Sequence, residues 1–176
     1  MSEIELLVSL KIPDVTALTA ANSLRRRLGY AQRLVHLQRA DYYRLEVEAE
    51  SAKAAQELVT QLASRTNHFV NPNKHVFAVR VAEPRLAPPR RKGGHEVEVL
   101  VTDIEGDRST ELEEALAADR LAAGKVRAVH TGVLWTLTLK TETPTEALET
   151  AREITITRAR DRGLLANPHF QAVSIS

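Results

Sequence analysis

Histidine is the side chain in this 176-residue sequence best suited to chemistry near neutral pH. Its imidazole titrates near pH 6.5 and binds metals readily. His36 and His130 each follow a valine in two similar stretches, and His75 and His169 open two others. Such pairs could form a symmetric acid–base or ligand set. No carboxylates stand beside them at ligand spacing, however, and a metal site needs three or four converging donors. They are read as strand residues inherited by duplication. His68 and His75 flank Asn71-Pro72 as loop polarity, and His95 beside Gly93-Gly94 is expected to be solvated.

The other nucleophiles and cradles are missing. There is no cysteine, which removes thiolates, disulfides and zinc fingers. No serine lies in a G-x-S-x-G context, and no glycine-rich phosphate loop occurs. Glu111, Glu113 and Glu114 fall in the first turns of an expected helix, where negative charge suits the dipole. Arg25-Arg26-Arg27 spread around a helix end, since successive residues turn by about 100°. Arg90-Arg91-Lys92 would attract any polyanion. Only 4% of residues are aromatic and the base-stacking strand pattern is absent, so nucleic acid is not an expected partner. No catalytic residue, metal site or cofactor is therefore assigned.

The elements that must position these residues follow a repeated order. Ile4–Lys11 reads as a strand stopped by Pro13. Asp14 or Thr19 caps a helix with Leu18, Ala21, Leu24 and Leu28 on one face, and Gly29 ends it. Leu34–Arg39 and Tyr42–Glu48 read as two strands around a turn near Arg39–Asp41. Ser51 opens a second helix carrying Ala55, Leu58, Val59 and Leu62, and His75–Val81 is a last strand. The C-terminal half repeats this as strand Glu96–Thr102, helix Ser109–Ala123, strands Val126–His130 and Leu134–Thr141, helix Thr145–Arg162 and strand Phe170–Ile175.

Sequence matches in constant order support a tandem duplication. Ile4–Ser9 matches Val97–Thr102, Val35-His36 matches Val129-His130, and Asn71-Pro72 matches Asn167-Pro168. Between the copies, residues 82–94 hold three of the seven prolines and a Gly-Gly pair, the composition of a linker. The expected domains are thus 1–81, the linker 82–94, and 95–176. Their net charges are +3, +3 and −5 within an overall +1. The fold class expected is α+β: two ferredoxin-like β-α-β-β-α-β units paired as a covalent pseudo-dimer with antiparallel sheets. No apolar run reaches 18 residues, and Met1–Glu5 lacks the features of a signal peptide, so a cytoplasmic location is expected.

Val8-Ser9-Leu10-Lys11 closing the first strand, and Leu28-Gly29-Tyr30 closing the first helix, resemble the PurS family. So do Val70-Asn71-Pro72 and Leu164-Leu165-Ala166-Asn167-Pro168 at the two helix-to-strand junctions. PurS is the small subunit of phosphoribosylformylglycinamidine synthase. The resemblance covers most of residues 4–81 and, more faintly, 97–176. It departs at Arg39-Ala40-Asp41, where the family has Gly-Lys, and at Ile104, which takes the place of Lys11.

The resemblance implies a non-catalytic scaffold. Such subunits pair, and bridge a glutaminase to an ATP-dependent synthetase in converting formylglycinamide ribonucleotide to its amidine in purine biosynthesis. It implies Lys11, Arg25, Arg26, Tyr30 and Asn71 as candidate contacts to those subunits. The chain alone would then catalyse nothing, an intrachain pseudo-dimer would form, and further homo-oligomers could assemble. The alternative is a regulatory module binding a small metabolite at the pseudo-twofold interface, a reading that rests on fold analogy.

Overall fold

Three of the described helices start where a small polar side chain takes up orphan backbone donors. The computed structural model describes residues 1–85, 87–104, 109–156 and 163–176. Asp14 accepts from the Thr16 and Ala17 amides at 2.8 and 3.1 Å and starts α1 (Val15–Arg26). Ser51 does the same for Ala54 ahead of α2 (Ala52–Arg65). α3 spans Ser109–Ala118, and Thr143 caps α4 (Pro144–Thr155) through the Glu146 amide. The helix expected over Ser109–Ala123 stops early because Asp119 draws the following backbone into turns, its carboxylate accepting from Leu121 N–H at 2.8 Å. Residues 157–162 of the expected Thr145–Arg162 helix lie outside the described residues.

The face of α1 is rotated from the expected one. Ala17, Ala21 and Leu24 are buried, whereas Leu18 is 52% exposed.

The strands are β1 (Ser2–Leu10), β2 (Leu34–Val47), β3 (His75–Val81), β4 (Arg90–Arg91), β5 (Gly94–Asp103), β6 (Val126–Leu139) and β7 (Gln171–Ile175). Among the described residues the fold is thus mixed α+β, with four helices and a seven-stranded antiparallel sheet. The order is β3-β1-β2-β6-β5-β4, with β7 also on β5. No described helix is long and apolar enough to cross a membrane.

The expected hairpins are corrected. β2 runs unbroken through Arg39-Ala40-Asp41, and β6 runs unbroken through Thr131-Gly132. A tight hairpin usually needs positive φ at its centre. No described non-glycine residue has positive φ, and Gly132 is not among the glycines that do. Each half is therefore β-α-β-α-β around one 14-residue strand, rather than β-α-β-β-α-β.

That continuity changes what packs with what. Two compact units form, and neither is a sequence half. The first comprises Met1–Ile12, Ala40–Glu83 and Gly106–Gly132; the second comprises Pro13–Arg39, Pro84–Glu105 and Val133–Ser176. In the first, Ile4, Leu6, Leu45, Val59 and Leu62 pack with Leu116 of α3 and Val129 of β6. In the second, Leu24 of α1 and Leu34 of β2 pack with Val97, Val99, Trp135, Leu137 and Ile154. Each unit thus takes one helix and half a strand from the other half of the sequence. The segment 82–94 is not a free tether either. Arg85 pairs with Glu98 at 2.6 Å, and Arg90-Arg91 form β4 against Gly94-His95.

In both halves the first long strand pairs antiparallel with the 14-residue strand. β1 meets β2 with Ser2 opposite Val47, and β5 meets β6 with His95 opposite Leu139. With β1 set against β5 at the offset of 93 that the sequence match suggests, these registers set β2 against β6 at 92.

Candidate partner-contact surfaces

In the first unit the structure brings Lys11 and Asn71 together. The Asn71 side chain accepts from Asn73 N–H at 3.0 Å, and its carbonyl accepts from Lys74 and His75. Asparagine suits such a turn because its side chain stands in for a backbone acceptor. Lys11 N–H donates to the Lys74 carbonyl, and its ammonium donates to the Pro72 carbonyl at 2.6 Å. Beside this turn lies a shallow pocket of about 420 Å³ lined by Ala63, Ser64, Val70, Pro72, His75, Val76 and Phe77. Most of that lining is apolar, and Ser64 donates back to Thr60.

In the second unit Arg25 fastens α1 to the start of β2. Its guanidinium donates to the Leu34 carbonyl at 3.0 Å and the Val35 carbonyl at 2.5 Å. Tyr30 is buried, and its carbonyl accepts from Arg33 and Leu34. Arg26 is exposed in the last turn of α1, where positive charge complements the dipole. Of the five candidates, Lys11 and Asn71 present surface on the first unit and Arg26 on the second, where Arg25 and Tyr30 build the corner that carries it.

The histidine pairs are corrected. Asn167 repeats the Asn71 turn, accepting from His169 N–H at 3.1 Å, so His169 stands where Asn73 stands. Gln171 takes the place of His75; each accepts a hydrogen bond from the asparagine amide four residues earlier. The strand offset of 92 likewise sets His36 against Ala128, and His130 against Gln38. His95 is 4% exposed rather than solvated, and its Nδ1 lies 3.0 Å from the Thr141 hydroxyl. Among the described residues no three His, Asp or Glu side chains converge on a metal position.

Sequence reasoning missed the polar groups on the sheet. Glu5 of β1 accepts from the Tyr42 phenol at 2.9 Å and from Arg80 at 2.5 Å. Burial pushes the Tyr42 phenol above its ordinary value of 10, and the Glu5 charge and hydrogen bond add to that. Glu98 of β5 stands between Val97 and Val99 as Glu5 stands between Ile4 and Leu6, and it accepts from Arg85 at 2.6 Å. The signal was present: Glu3 and Glu5 of β1 recur as Glu96 and Glu98 of β5. Every buried side-chain nitrogen or oxygen among the described residues has a partner. These charges therefore answer one another rather than aim at an open cleft.

Two side-chain pairs stitch segments of both sequence halves into the first unit. His68 lies 2.9 Å from Asp119, and Arg127 Nε lies 2.8 Å from Glu48. The His68 hydrogen bond and then the Leu121 amide hold Asp119 below the usual carboxylate range; Arg127 does so for Glu48. Depressed carboxylates stabilise the fold fully above their unfolded values and lose that contribution as pH falls through the folded ones. Urea midpoints followed from pH 6 to pH 3 should decline, and Asp119→Asn should flatten the acid part of that decline. Parallel curves for the two proteins would show that the pair contributes nothing.

No family model matches the sequence, and no curated protein matches it. The arrangement itself supplies two exposed turns, a basic helix end and internally satisfied charges. Such surfaces can recognise another protein.

Proposed function

We propose that the chain is a non-catalytic scaffold subunit of PurS type, bridging a glutaminase and an ATP-dependent synthetase in glutamine-dependent formation of formylglycinamide ribonucleotide amidine. The observation that carries this reading is the interleaving of the two halves. Each unit has strands from both halves and two helices, one from each half. In the first unit the order is β3-β1-β2-β6, that of a ferredoxin-like sandwich whose hairpin has been opened and exchanged. One chain would then supply what two paired protomers supply in the family it resembles. Lys11, Asn71 and Arg26 are the exposed residues offered to the larger subunits, and Arg25 and Tyr30 hold the corner that presents Arg26.

The test mixes the purified chain with the glutaminase and synthetase subunits and measures glutamine-dependent amidine formation. The expected result is a stable complex whose activity requires this chain and falls with Lys11→Glu. Full activity without the chain, or no complex with it, would remove the proposal.

A further inference from the structure

Among the described residues β3 ends the strand order, with β1 as its one neighbour. Lys11 N–H bonds to Lys74 and Ala82 N–H bonds to Glu3, so the even-numbered residues of β3 bond inward to β1. Phe77, Val79 and Val81 therefore aim their backbone N–H and C=O groups outward. One of these outward groups is covered: Gln56 of α2 donates to the Val79 carbonyl at 2.9 Å. Natural edge strands are usually guarded by charge, proline or a bulge. In β3, His75-Val76-Phe77-Ala78-Val79-Arg80-Val81, the sole permanent charge is Arg80, already held by Glu5. Val76 is 50% exposed, and Ala78 is exposed as well.

The ridge of α2 beside this edge is neutral too. Gln56, Thr60 and Ser64 follow at four-residue spacing, and the Thr60 and Ser64 hydroxyls donate back into their own helix. A strip without charge suits a twofold axis, where any charge meets its own image. The charges at the strand ends add a direction. Lys74 precedes β3 and Glu83 follows it, both exposed.

We propose that β3 is a self-association edge: two copies of this chain join β3 to β3, antiparallel, about a twofold axis centred on Ala78. In this register Phe77 pairs with Val79 of the other copy, and Arg80 faces Val76 rather than its own image. Lys74 of each copy falls opposite Ala82 of the other, next to Glu83 in the chain, whereas a parallel pairing would set like charges together. Gln56 gives up the Val79 carbonyl to a strand amide, and the second strand covers the pocket between α2 and β3. The interface is isologous and closes at two copies.

Sedimentation equilibrium of the full chain at micromolar concentration tests this. The expected mass is twice the 19.5 kDa chain. Ala78→Lys sets two ammonium groups against each other and should weaken the dimer about tenfold or more, with the circular dichroism of the folded chain retained. Lys74→Glu should weaken it as well, and adding Glu83→Lys should restore it. A monomeric wild type overturns the proposal, an added strand from another protein then being the remaining use of the edge. A dimer indifferent to Ala78→Lys and Lys74→Glu overturns it equally.

Discussion

Leu24→Ala, a change in the N-terminal half of the sequence, is expected to disturb Trp135 in the C-terminal half. Leu24 has no exposed surface and shares a core with Trp135, Leu137 and Val99. Emptying a leucine site of this kind costs about 2–5 kcal/mol, according to how far the walls collapse. Trp135 is the single tryptophan of the chain and is 6% exposed, so its emission reports this core alone. The variant should shift that emission to the red and lower the urea midpoint it records. Leu116→Ala supplies the reverse case. Leu116 belongs to the C-terminal half but packs with Ile4, Leu6 and Val59. It should destabilise the chain by circular dichroism while leaving the native Trp135 emission in place. If each half folded on its own, the two outcomes would be exchanged.

The reason this crossing escapes a reading of the sequence lies in a few residues. Helix starts are local chemistry, and Asp14 and Ser51 announce them by their own oxygens. Strands β1 and β5 are legible because each is a run rich in leucine and β-branched residues, Ile4-Glu5-Leu6-Leu7-Val8 and Val97-Glu98-Val99-Leu100-Val101, with a glutamate at the same place. The choice between a hairpin and a continuous strand is not local in the same way. Arg39-Ala40-Asp41 interrupts the apolar alternation and so looks like a turn. Arg39 instead reaches Asp14 at 3.6 Å, so a polar stretch in mid-strand is held by a helix cap. Charge partitioning then goes astray for the same cause. The halves divide as a basic and an acidic copy, but Arg25, Arg26 and Arg27 travel with α1 into the second unit. The first unit carries 10 basic and 13 acidic residues, and the second carries 14 and 10.

The candidate contacts were legible to the extent that they were turn and cap chemistry. Asn71 marks its turn because an asparagine side chain can close it, and Asn167 repeats the signal. Arg25 and Tyr30 sat within the matching segments, yet sequence spacing could not separate a side chain that faces solvent from one that closes a corner. The difference lies in the Leu34 and Val35 carbonyls. They fall nine and ten residues further along the chain, beyond any helical periodicity.

The second large effect is expected at Gly94. Lys92-Gly93 turns the chain between β4 and β5, and Gly93 has φ of +102°. Gly94 comes so close to β6 that a Cβ would stand 1.9 Å from the Leu139 carbonyl oxygen and 2.5 Å from its carbon. Both are backbone atoms, so no rotamer change relieves the contact. The strand must move, taking with it Leu139, which has no exposed surface, and the buried His95 opposite. Overpacking that shifts a backbone costs about 3 kcal/mol or more. Gly29→Ala is the matched control. Gly29 has φ of +79°, and a Cβ there would meet nothing within 4 Å. Its cost is only that of a left-handed alanine, about 1–2 kcal/mol. For a chain of this length each kcal/mol lowers the melting temperature by about 2–4 °C. Gly94→Ala should therefore melt about 6–12 °C below the wild type, and Gly29→Ala about 2–8 °C below it. Since Gly29 and Gly94 both belong to the second unit, the difference isolates the strand contact from the loss of glycine freedom. Equal shifts for the two would mean that β5 and β6 part at Leu139 without cost, and the close approach at Gly94 would not be what holds that hairpin to the sheet.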